Sequence, residues 1–596
     1  MSSKDNKLPS SIEINKLLGN YQSKKFDLAE NSARLIIKKY PNDLLSWKIL
    51  GAVLRQTGRL RESLTAFHQV LNIAPKDAEG FFGLANVFQG LNNFKDAKSH
   101  YQHAIAINPN HSGAFNNLGI AFKELELFSE SEASHKSAIA LQPSNASAHN
   151  NLGVVLKLLS KYEEAVASYL HAIQLQPKYA EAHANLANVY QVMGRLEDSE
   201  VCYRNAIALQ PSNASAHNNL GVVLKLLSKY EEAVASYLHA IQLQPKYAEA
   251  HANLANVYQV MGRLEDSEVC YRNAIALQPS DSTLHSNLGV LLKFLGRGKE
   301  AVTSFFNAIS LQPDNSEAHF NIGLEFHGLG NYKKASEHFL LSNIKKAQSY
   351  NLKCLYHEDK ESFFELYDNL VLAQERNAII GHYGCLSEIK YKTNRQNLFC
   401  KNPLKYISLK NLKDQYNFNE DFIDPLHAVL DEATLPNRWQ SLLINGSQTF
   451  GNLFELPNDS IKKIKKIILV EIEKYRVNFQ NSNEGFITHW PNDYDIYGWL
   501  VKMNSGGELH PHMHDTGWIT GSIYINVPSN LNSESGNIVV SVNDREFPFS
   551  DHEVKKNSID IATGSICLFP SSLLHHTIPF SSQEERIVLA FDVLPK

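Results

Sequence analysis

Histidine is concentrated in one short stretch near the C-terminal end of the chain. The stretch GGELHPHMHDTGW, residues 506–518, places His510, His512 and His514 at alternate positions and Asp515 directly after the last of them. Residues i and i+2 of an extended strand point to one face, so His512 and His514 can converge on one metal ion. Imidazole is a ligand that iron and zinc both accept. The spacing therefore predicts two metal ligands, with His510 either in the adjoining loop or supporting the ligands without binding the metal.

A third ligand is expected from a distant segment, because two imidazoles leave a metal site incomplete. The segment FPSSLLHHTIPF, residues 569–580, supplies His575 and His576. We predict that His575 is the third metal ligand.

Short runs of β-branched and aromatic residues surround both histidine segments. They are separated by Gly, Pro, Asn and Ser, and read DIYGWLVKMN, WITGSIYINVP, NIVVSV, SIDIATGSICLFP and ERIVLAFDVLP. Such runs are typical of strands. A helix, DSIKKIKKIILVEIEKYRVNF, is predicted before them with Asp459 as its N-cap. This order predicts a helix packed on a β-sandwich or jelly roll.

A 34-residue repeat occupies the first part of the chain. Nine prolines stand 34 residues apart, at Pro41, Pro75, Pro109, Pro143, Pro177, Pro211, Pro245, Pro279 and Pro313. Within each unit two apolar-periodic helices flank a short break, as in SAHNNLGVVLKLLSKYEEAVASYLHAIQLQP. Small residues such as Gly153 and Ala165 stand where helices would cross closely. The pattern predicts an α-helical solenoid of about ten helix-turn-helix units over roughly residues 10–349.

The repeat resembles the tetratricopeptide repeat (TPR) family, and the in-register prolines carry the resemblance. Residues 138–212 recur letter for letter as residues 206–280, an offset of 68 residues, or two units. Each unit of such a solenoid contacts mainly its neighbours, so two units can be added without a new core. The length of the array is therefore adjustable.

Asparagine recurs at one position of the predicted first helices. The residues are Asn117, Asn151, Asn185, Asn219, Asn253, Asn287 and Asn321, and histidine precedes each of the last six by two residues. First helices line the concave face of such solenoids, and an amide offers both a donor and an acceptor to a peptide backbone. The array resembles that of O-linked N-acetylglucosamine transferase, in which an asparagine ladder binds substrate polypeptide. The resemblance implies peptide binding; the alternative is that these amides cap or bridge neighbouring helices.

Composition argues against two other classes of protein. The 596 residues are 43% hydrophobic and 20% charged with a net charge of −5, which provides no basic footprint for nucleic acid. The first residues lack the apolar core of a signal peptide, and no segment approaches the roughly 18 to 20 apolar residues that span a bilayer. We therefore expect no nucleic-acid partner, no membrane and a cytoplasmic location. The six cysteines show no CxxC spacing and are expected to be reduced thiols.

The motifs HPHMHDTGWITGSIYINVP, GSICLFPSSLLHHTIPF and ERIVLAFDVLP resemble the 2-oxoglutarate and Fe(II)-dependent oxygenases. They are most similar to a bacterial group that joins such a domain to TPR repeats and carries the signature HxHxxGWxSGxxY, and the resemblance covers most of residues 390–596. It implies a double-stranded β-helix, or jelly roll, with His512 as the first iron ligand and His575 as the distal one. It also implies that Arg586 pairs with the far carboxylate of 2-oxoglutarate, which a guanidinium matches bidentately.

The sequence departs from the family pattern at two positions. The superfamily usually presents His-x-Asp or His-x-Glu, whereas here His514 follows His512 and Asp515 comes one residue later. Either three imidazoles hold the iron, or Asp515 supplies the carboxylate. The usual Arg-x-Ser is Arg586-Ile-Val588, without the serine hydroxyl. A cupin, another jelly roll with an HxH motif, is the alternative fold, although the glutamate that follows in cupins is absent.

The resemblance implies a dioxygenase that uses Fe(II) and 2-oxoglutarate, without catalytic residues beyond the metal ligands. Because the domain is joined to an array expected to bind peptides, we expect it to hydroxylate a protein or peptide. The alternative is a non-catalytic TPR scaffold for protein–protein interaction with a cupin-like metal-binding cap. The expected domains are residues 1–349, the TPR superhelix; residues 350–440, a connecting region that begins the catalytic part; and residues 441–596, the jelly roll.

Overall fold

The computed structural model describes residues 8–431, 437–438, 442–449, 451–529, 534–542 and 556–596. The chain forms two compact units, Met1–Pro245 and Lys246–Lys596. The boundary predicted between residues 440 and 441 lies outside the described residues. No helix in the described part of the chain is long and apolar enough to cross a membrane.

The first unit consists of consecutive antiparallel helix pairs. The helices are α1 (Ser11–Gln22), α2 (Phe26–Lys39), α3 (Leu44–Gln56), α4 (Leu60–Ile73), α5 (Ala78–Gly90), α6 (Phe94–Ile107), α7 (Ser112–Glu124), α8 (Phe128–Leu141), α9 (Ala146–Leu158), α10 (Tyr162–Leu175), α11 (Ala180–Val192), α12 (Leu196–Leu209), α13 (Ala214–Leu226) and α14 (Tyr230–Leu243). Side-chain N-caps start several first helices, as Asn145 does for α9 by accepting from the amide of Ala148. The turn inside a pair requires a left-handed residue, which is Ser160 at φ 58° in one repeat and Gly194 at φ 74° in the next.

In several pairs an aromatic side chain on the second helix fills the space above a small residue on the first. Tyr169 lies over Gly153 in this way, and a Cβ at position 153 would come within 2.7 Å of the ring. The same two positions hold Phe305 and Gly289 in a later repeat. The small residues that mark the helix crossings in the sequence therefore have a packing cause.

The recurrent histidine of the first helices has a structural role. The Nε2 atom of His149 lies 3.0 Å from the carbonyl oxygen of Pro143, six residues earlier, and the same contact recurs at His183, His217, His285 and His319. Trp47 makes the equivalent bond to Pro41 through its indole nitrogen at 2.8 Å. Because a carbonyl only accepts, Nε2 carries the proton, and each ring ties the start of a helix pair to the turn before it.

The second unit begins with three further helix pairs and continues with three more helices. The pairs are α15 (Ala248–Val260) with α16 (Leu264–Leu277), α17 (Ser282–Phe294) with α18 (Gly298–Leu311), and α19 (Ser316–Gly328) with α20 (Tyr332–Leu341). The helices that follow are α21 (Ala347–Glu358), α22 (Lys360–Leu372) and α23 (Ala378–Tyr391). The described residues thus contain ten helix pairs, α1–α20, which confirms the predicted TPR solenoid.

The C-terminal part of the second unit is an antiparallel sheet domain, as the predicted jelly roll requires. One sheet has the order β1-β8-β5-β10-β4-β3-β2, and the other has the order β7-β6-β9. The strands are β1 (Ser408–Asn411), β2 (Asn437–Arg438), β3 (Leu443–Thr449), β4 (Tyr494–Leu509), β5 (Ile519–Asn526), β6 (Ile538–Ser541), β7 (Lys556–Ile559), β8 (Ser565–Pro570), β9 (Leu574–Thr577) and β10 (Arg586–Pro595). The helices are α24 (Asp424–Asp431), α25 (Asp459–Asn478) and α26 (Gly485–Thr488), with short 3-10 or π turns at Pro403–Tyr406, Leu412–Asp414, Asn419–Ile423 and Leu453–Glu455.

Helix α25 covers one face of the larger sheet. Its buried residues Ile464 and Ile468 share a core with Leu589 and Phe591, which alternate along β10. The predicted N-cap Asp459 is wrong by one residue, because the side chain of Asn458 accepts from the amides of Ser460 and Ile461. The opposite face of β10 carries Arg586 and Asp592, and that face forms the site described below.

Candidate metal centre

The two predicted histidine segments lie side by side. His512 forms an isolated antiparallel bridge with His575 on β9, in which each backbone amide donates to the other's carbonyl, at 3.2 and 2.9 Å. The candidate ligand nitrogens of His512, His514 and His575 all lie within 4.8 Å of one another. Three imidazoles from two distant segments therefore converge on a position that one metal ion can fill.

Hydrogen bonds fix which nitrogen two of the rings present. The Nδ1 atom of His512 lies 2.8 Å from the carbonyl oxygen of His510, and Nδ1 of His514 lies 2.6 Å from Oδ1 of Asp592. Both rings are thereby left to offer Nε2. The Nδ1 atom of His575 is buried and has no hydrogen-bond partner among the residues that the structure describes. A buried, unsatisfied nitrogen beside two oriented imidazoles fits a metal ligand.

Burial keeps two of the three imidazoles neutral. It lowers the pKa of His512 from 6.5 to about 3, with His514 adding to the effect. Burial also lowers the pKa of His575 well below its usual range, and the neighbouring ring of His512 lowers it further. Burial opposes protonation of His514 too, but the nearby carboxylate of Asp592 outweighs it and raises the pKa. A metal would bind the neutral ring, and Asp592 would increase the basicity of His514 towards it.

Asp515, the alternative carboxylate ligand, has another partner in the structure. Both of its oxygens contact the ammonium of Lys353 on α21, at 2.7 and 2.6 Å. The metal-ligand cluster that the structure forms consists of the three histidines and does not include Asp515. His510 lies outside the cluster as well, and its ring nitrogen is 3.9 Å from a carboxylate oxygen of Glu508.

Arg586 is a buried cation at the start of β10, on the strand face that also carries Asp592. Arg586 is 1% exposed, and its Nη1 atom donates to the carbonyl oxygen of Gly536 at 2.6 Å. Its Nε is buried without a hydrogen-bond partner in the described ranges. Burial lowers its pKa, while the adjacent Tyr524 favours the charged form. A buried guanidinium with an unused donor fits an anionic ligand, above all a carboxylate.

The three histidines and Arg586 line one cavity of about 510 Å³ between the two sheets. Along β10, Val588 and Ala590 lie between Arg586 and Asp592 on the cavity face, and the pairing strand β5 places Tyr524 opposite Val588 and Ser522 opposite Ala590. Val588 and Ala590 are the smaller side chains on the cavity face of this strand. The cavity can thus hold an elongated dianion with one end at a metal and the other at Arg586.

The predicted asparagine ladder is half-buried and makes contacts within the array. The amide nitrogens of Asn117, Asn151 and Asn185 donate to the Oδ1 atoms of Asn86, Asn116 and Asn150 in the preceding repeats, at 2.8 to 3.2 Å. Asn219 accepts from Asn218, and Asn321 donates to the carbonyl oxygen of Glu317. Asn253 and Asn287 occupy the same repeat position. Bridging of neighbouring repeats is therefore part of the role of these amides, and an amide that donates still has acceptor capacity.

Sequence reasoning did not identify Asp592 or Lys353 as part of the site. Asp592 is the one acidic residue inside the apolar run RIVLAFDVLP, and a carboxylate in a buried strand needs a partner. That signal was available in the sequence. Lys353 lies 162 residues before Asp515, and no local pattern connects the two.

Models of known families match both parts of the chain. The family described as "Putative 2OG-Fe(II) oxygenase" matches residues 497–592, which hold the three histidines, Arg586 and Asp592. Models of the TPR repeat or tetratricopeptide repeat match residues 78–111, 156–194, 180–213, 202–235, 223–262 and 248–281. A search of curated proteins gave no match.

Solved structures that are similar to part of the chain include TPR proteins. They include YrrB, a TPR protein with an unusual peptide-binding site, at 23% identity over 31% of this chain and 95% of that chain, with a TM-score of 0.28. PilF from Pseudomonas aeruginosa matches at 20% identity over 36% of this chain and 97% of its own, with a TM-score of 0.33. A tetratricopeptide repeat protein from Parabacteroides merdae matches at 20% identity over 43% of this chain and 96% of its own, with a TM-score of 0.34.

Proposed function

We propose a function from the premise that the chain joins tetratricopeptide repeats to a domain of the 2OG-Fe(II) oxygenase family. The protein is an Fe(II)- and 2-oxoglutarate-dependent dioxygenase that hydroxylates a protein or peptide held by the repeats. The observation that carries this proposal is the cavity that unites the three histidines with the buried Arg586. A metal ion alone would need only the histidines, and an anion alone would need only Arg586, whereas Fe(II) with 2-oxoglutarate uses both.

His512, His514 and His575 would hold the iron. When bound, Fe(II) with 2-oxoglutarate supplies the activation of oxygen that hydroxylation requires. The protein orients two of the imidazoles through the His510 carbonyl and the Asp592 carboxylate, and it keeps the site buried. Three neutral ligands leave positions free for the co-substrate and for oxygen. This arrangement favours the three-imidazole alternative over ligation by Asp515, whose oxygens contact Lys353.

Arg586 would bind the far carboxylate of 2-oxoglutarate. Val588 replaces the serine that usually accompanies this arginine, but Tyr524 lies opposite Val588 on β5 and is 1% exposed. Burial raises the pKa of the Tyr524 hydroxyl, so that this group stays protonated and can donate. We infer that Tyr524 supplies the hydroxyl that the missing serine would provide.

The remaining walls of the cavity are suited to a substrate side chain. Trp499, whose ring centre is 5.5 Å from that of His514, and Tyr497, which is 36% exposed, alternate with core residues along β4. Met513 and Leu594 also line this region. The charged groups of the lining are engaged by the metal site or the co-substrate, so we expect the modified residue to be uncharged. The TPR repeats, as a peptide-binding platform in the same chain, would raise the local concentration of such a substrate.

Anaerobic titration with Fe(II) and 2-oxoglutarate tests the oxygenase site. We expect a visible charge-transfer band from the chelate in the wild-type protein. His575→Ala removes a ligand and should abolish the band, and Arg586→Ala should weaken 2-oxoglutarate binding by about 100-fold, because a buried charge pair is lost. His510→Ala is the matched control, since it removes a histidine of the same segment that is outside the cluster, and it should retain the band.

Absence of the band in the folded wild-type protein would contradict the proposal. The chain would then be a scaffold that assembles partners through its repeats, with the sheet domain as a cap. A band that survives His575→Ala would contradict the assignment of that ligand.

A further inference from the structure

Lys353 connects the helices that follow the repeats to the segment that carries the metal ligands. It lies on α21, and its ammonium contacts both carboxylate oxygens of Asp515, at 2.7 and 2.6 Å. The two side chains are 11% and 22% exposed. An ion pair removed this far from water is more strongly coupled than a surface pair.

A second contact anchors the residue on the other side of His514. Met513 packs against an apolar cluster of the helices that contains Phe320, Phe339 and Tyr350. The Lys353 ammonium also lies 4.9 Å from the centre of the Tyr350 ring. Both chain neighbours of His514 are therefore fixed by the helical part of the second unit.

The helices also hold the segment of the distal ligand. His382 on α23 is 2% exposed, and its Nδ1 lies 3.0 Å from the carbonyl oxygen of Ser572, three residues before His575. Residues of α21 and α23 thus contact both segments that carry the candidate ligands.

The chemistry of a carboxylate gives the contact to Lys353 a specific consequence. Carboxylates are good ligands for iron, and Asp515 directly follows a histidine of the cluster. A half-buried carboxylate that loses its ammonium keeps the hydroxyl of Tyr350 as a partner but no longer has a cation beside it. A metal ion bound by the adjacent imidazoles would be such a cation close to the Asp515 carboxylate.

We propose that Lys353 is a positioning residue that holds the Asp515 carboxylate out of the metal's coordination, so that three imidazoles alone form the protein's ligand set. The inference rests on the proposed function, since it presupposes a metal at His512, His514 and His575. It assigns to α21 a part in setting the charge and the geometry of the centre.

Co(II) binding to the full-length protein tests this role, because the visible absorption of Co(II) depends on its ligand set. Lys353→Met removes the ammonium and retains an unbranched apolar stem. We expect its Co(II) spectrum to differ from that of the wild type, with a change of about tenfold in Kd. The double variant Lys353→Met/Asp515→Asn lacks the freed carboxylate and should return to the wild-type band positions, as should Lys353→Arg.

Lys463→Met is the matched control. Lys463 and Asp421 form an ion pair of 2.6 Å in the same unit, and neither residue lines the cavity. This variant should leave the Co(II) spectrum unchanged. If Lys353→Met does not fold, as judged by circular dichroism, Lys353→Gln replaces it. A changed Co(II) spectrum then supports the role of Lys353, and an unchanged spectrum and Kd contradict it.

The two proposals fail in different ways. A Lys353→Met protein that binds Co(II) with the wild-type spectrum and Kd would overturn the role of Lys353 and leave the proposed function intact. A wild-type protein that binds neither Co(II) nor Fe(II) would overturn the proposed function, and this inference with it.

Discussion

Asp592 is the buried carboxylate on which the orientation of His514 depends. One of its oxygens lies 2.6 Å from Nδ1 of His514 and also accepts from the Thr520 hydroxyl at 2.9 Å. Asp592 is 8% exposed and faces the cavity, because every second residue of β10 does so. A carboxylate behind a ligating imidazole fixes the ring and strengthens it as a ligand.

We predict that Asp592→Asn weakens Fe(II) binding by about 10- to 100-fold, the range found for partners of ligating histidines. The amide is similar in size, so the loss would come from the missing charge and not from a cavity. Titration of the apoprotein with Fe(II) under anaerobic conditions measures the Kd. Asp495→Asn serves as the control. Asp495 is an exposed residue of the neighbouring strand β4, and its carboxylate pairs with Lys596. Equal Kd values for the two variants would show that Asp592 has no such role.

Among the helix pairs, the one formed by α7 and α8 differs at its central contact. His135 occupies the position that Tyr169 and Phe305 hold in other repeats, and it packs over Gly119. It is 1% exposed, and its Nδ1 lies 3.2 Å from Oδ1 of Asn116. Burial lowers the pKa of His135 from 6.5 to about 4. The folded protein therefore keeps this ring neutral at a pH where the unfolded chain would protonate it.

We predict that α7 and α8 lose stability as the pH falls from about 6.5 towards 4. The folded-state pKa is the lower one, so the unfolded state binds the proton first, and the stability that is complete above pH 6.5 declines below it. Over that window the loss is at most roughly 3 kcal/mol. Hydrogen exchange of the α7 and α8 amides measures it locally. His135→Phe should abolish the loss, since Phe305 fills the same space over Gly289.

Tyr203→Phe is the control for this experiment. It changes the same repeat position and removes a hydrogen bond to Asn188, but it introduces no group that titrates in this window. A pH dependence in α7 and α8 that persists in His135→Phe would assign the effect to another group.

The regular elements were predictable from the sequence, and their long-range partners were not. A 34-residue period specifies the helix pairs because each pair packs on its neighbours in the chain. The strands beside the histidines were recognisable from β-branched runs, but the pairing of β10 with both β4 and β5 depends on segments far apart in sequence. The first residue of α25 was misassigned by one position, since Asn458 and Asp459 are both good caps and only the geometry selects between them.

At the scale of the whole chain, the site too has residues that local sequence predicts and partners that it does not. His512, His514, His575 and Arg586 were predicted from spacing and resemblance, and the structure brings them to one cavity. The partner of Asp515 could not be predicted, because Lys353 belongs to a region with no recognisable motif. The recurrent asparagines were predicted as a peptide-binding ladder, whereas three of them also bridge repeats through their amide nitrogens.

The bridging contacts allow a test of the ladder that separates binding from folding. We predict that Asn151→Ala/Asn185→Ala lowers kcat/KM for peptide hydroxylation by at least about tenfold, because each lost amide removes a hydrogen bond worth about 1 kcal/mol to a peptide backbone. The assay measures incorporation of ¹⁸O from ¹⁸O₂ into a randomised peptide library by mass spectrometry. The Fe(II) and 2-oxoglutarate charge-transfer band should be unaffected, since the substituted residues belong to α9 and α11 and the proposed metal site belongs to the sheet domain.

Asn205→Ala, at an exposed position of the second helix α12, is the matched control and should hydroxylate the library as the wild type does. Thermal unfolding of both variants identifies any loss that comes from the missing bridges to Asn116 and Asn150. A double variant that unfolds at the wild-type temperature and retains full hydroxylation would show that the ladder serves repeat packing alone. Selective loss of hydroxylation would instead connect the repeats to the chemistry of the cavity, because neither the iron site nor the stability of the array would have changed.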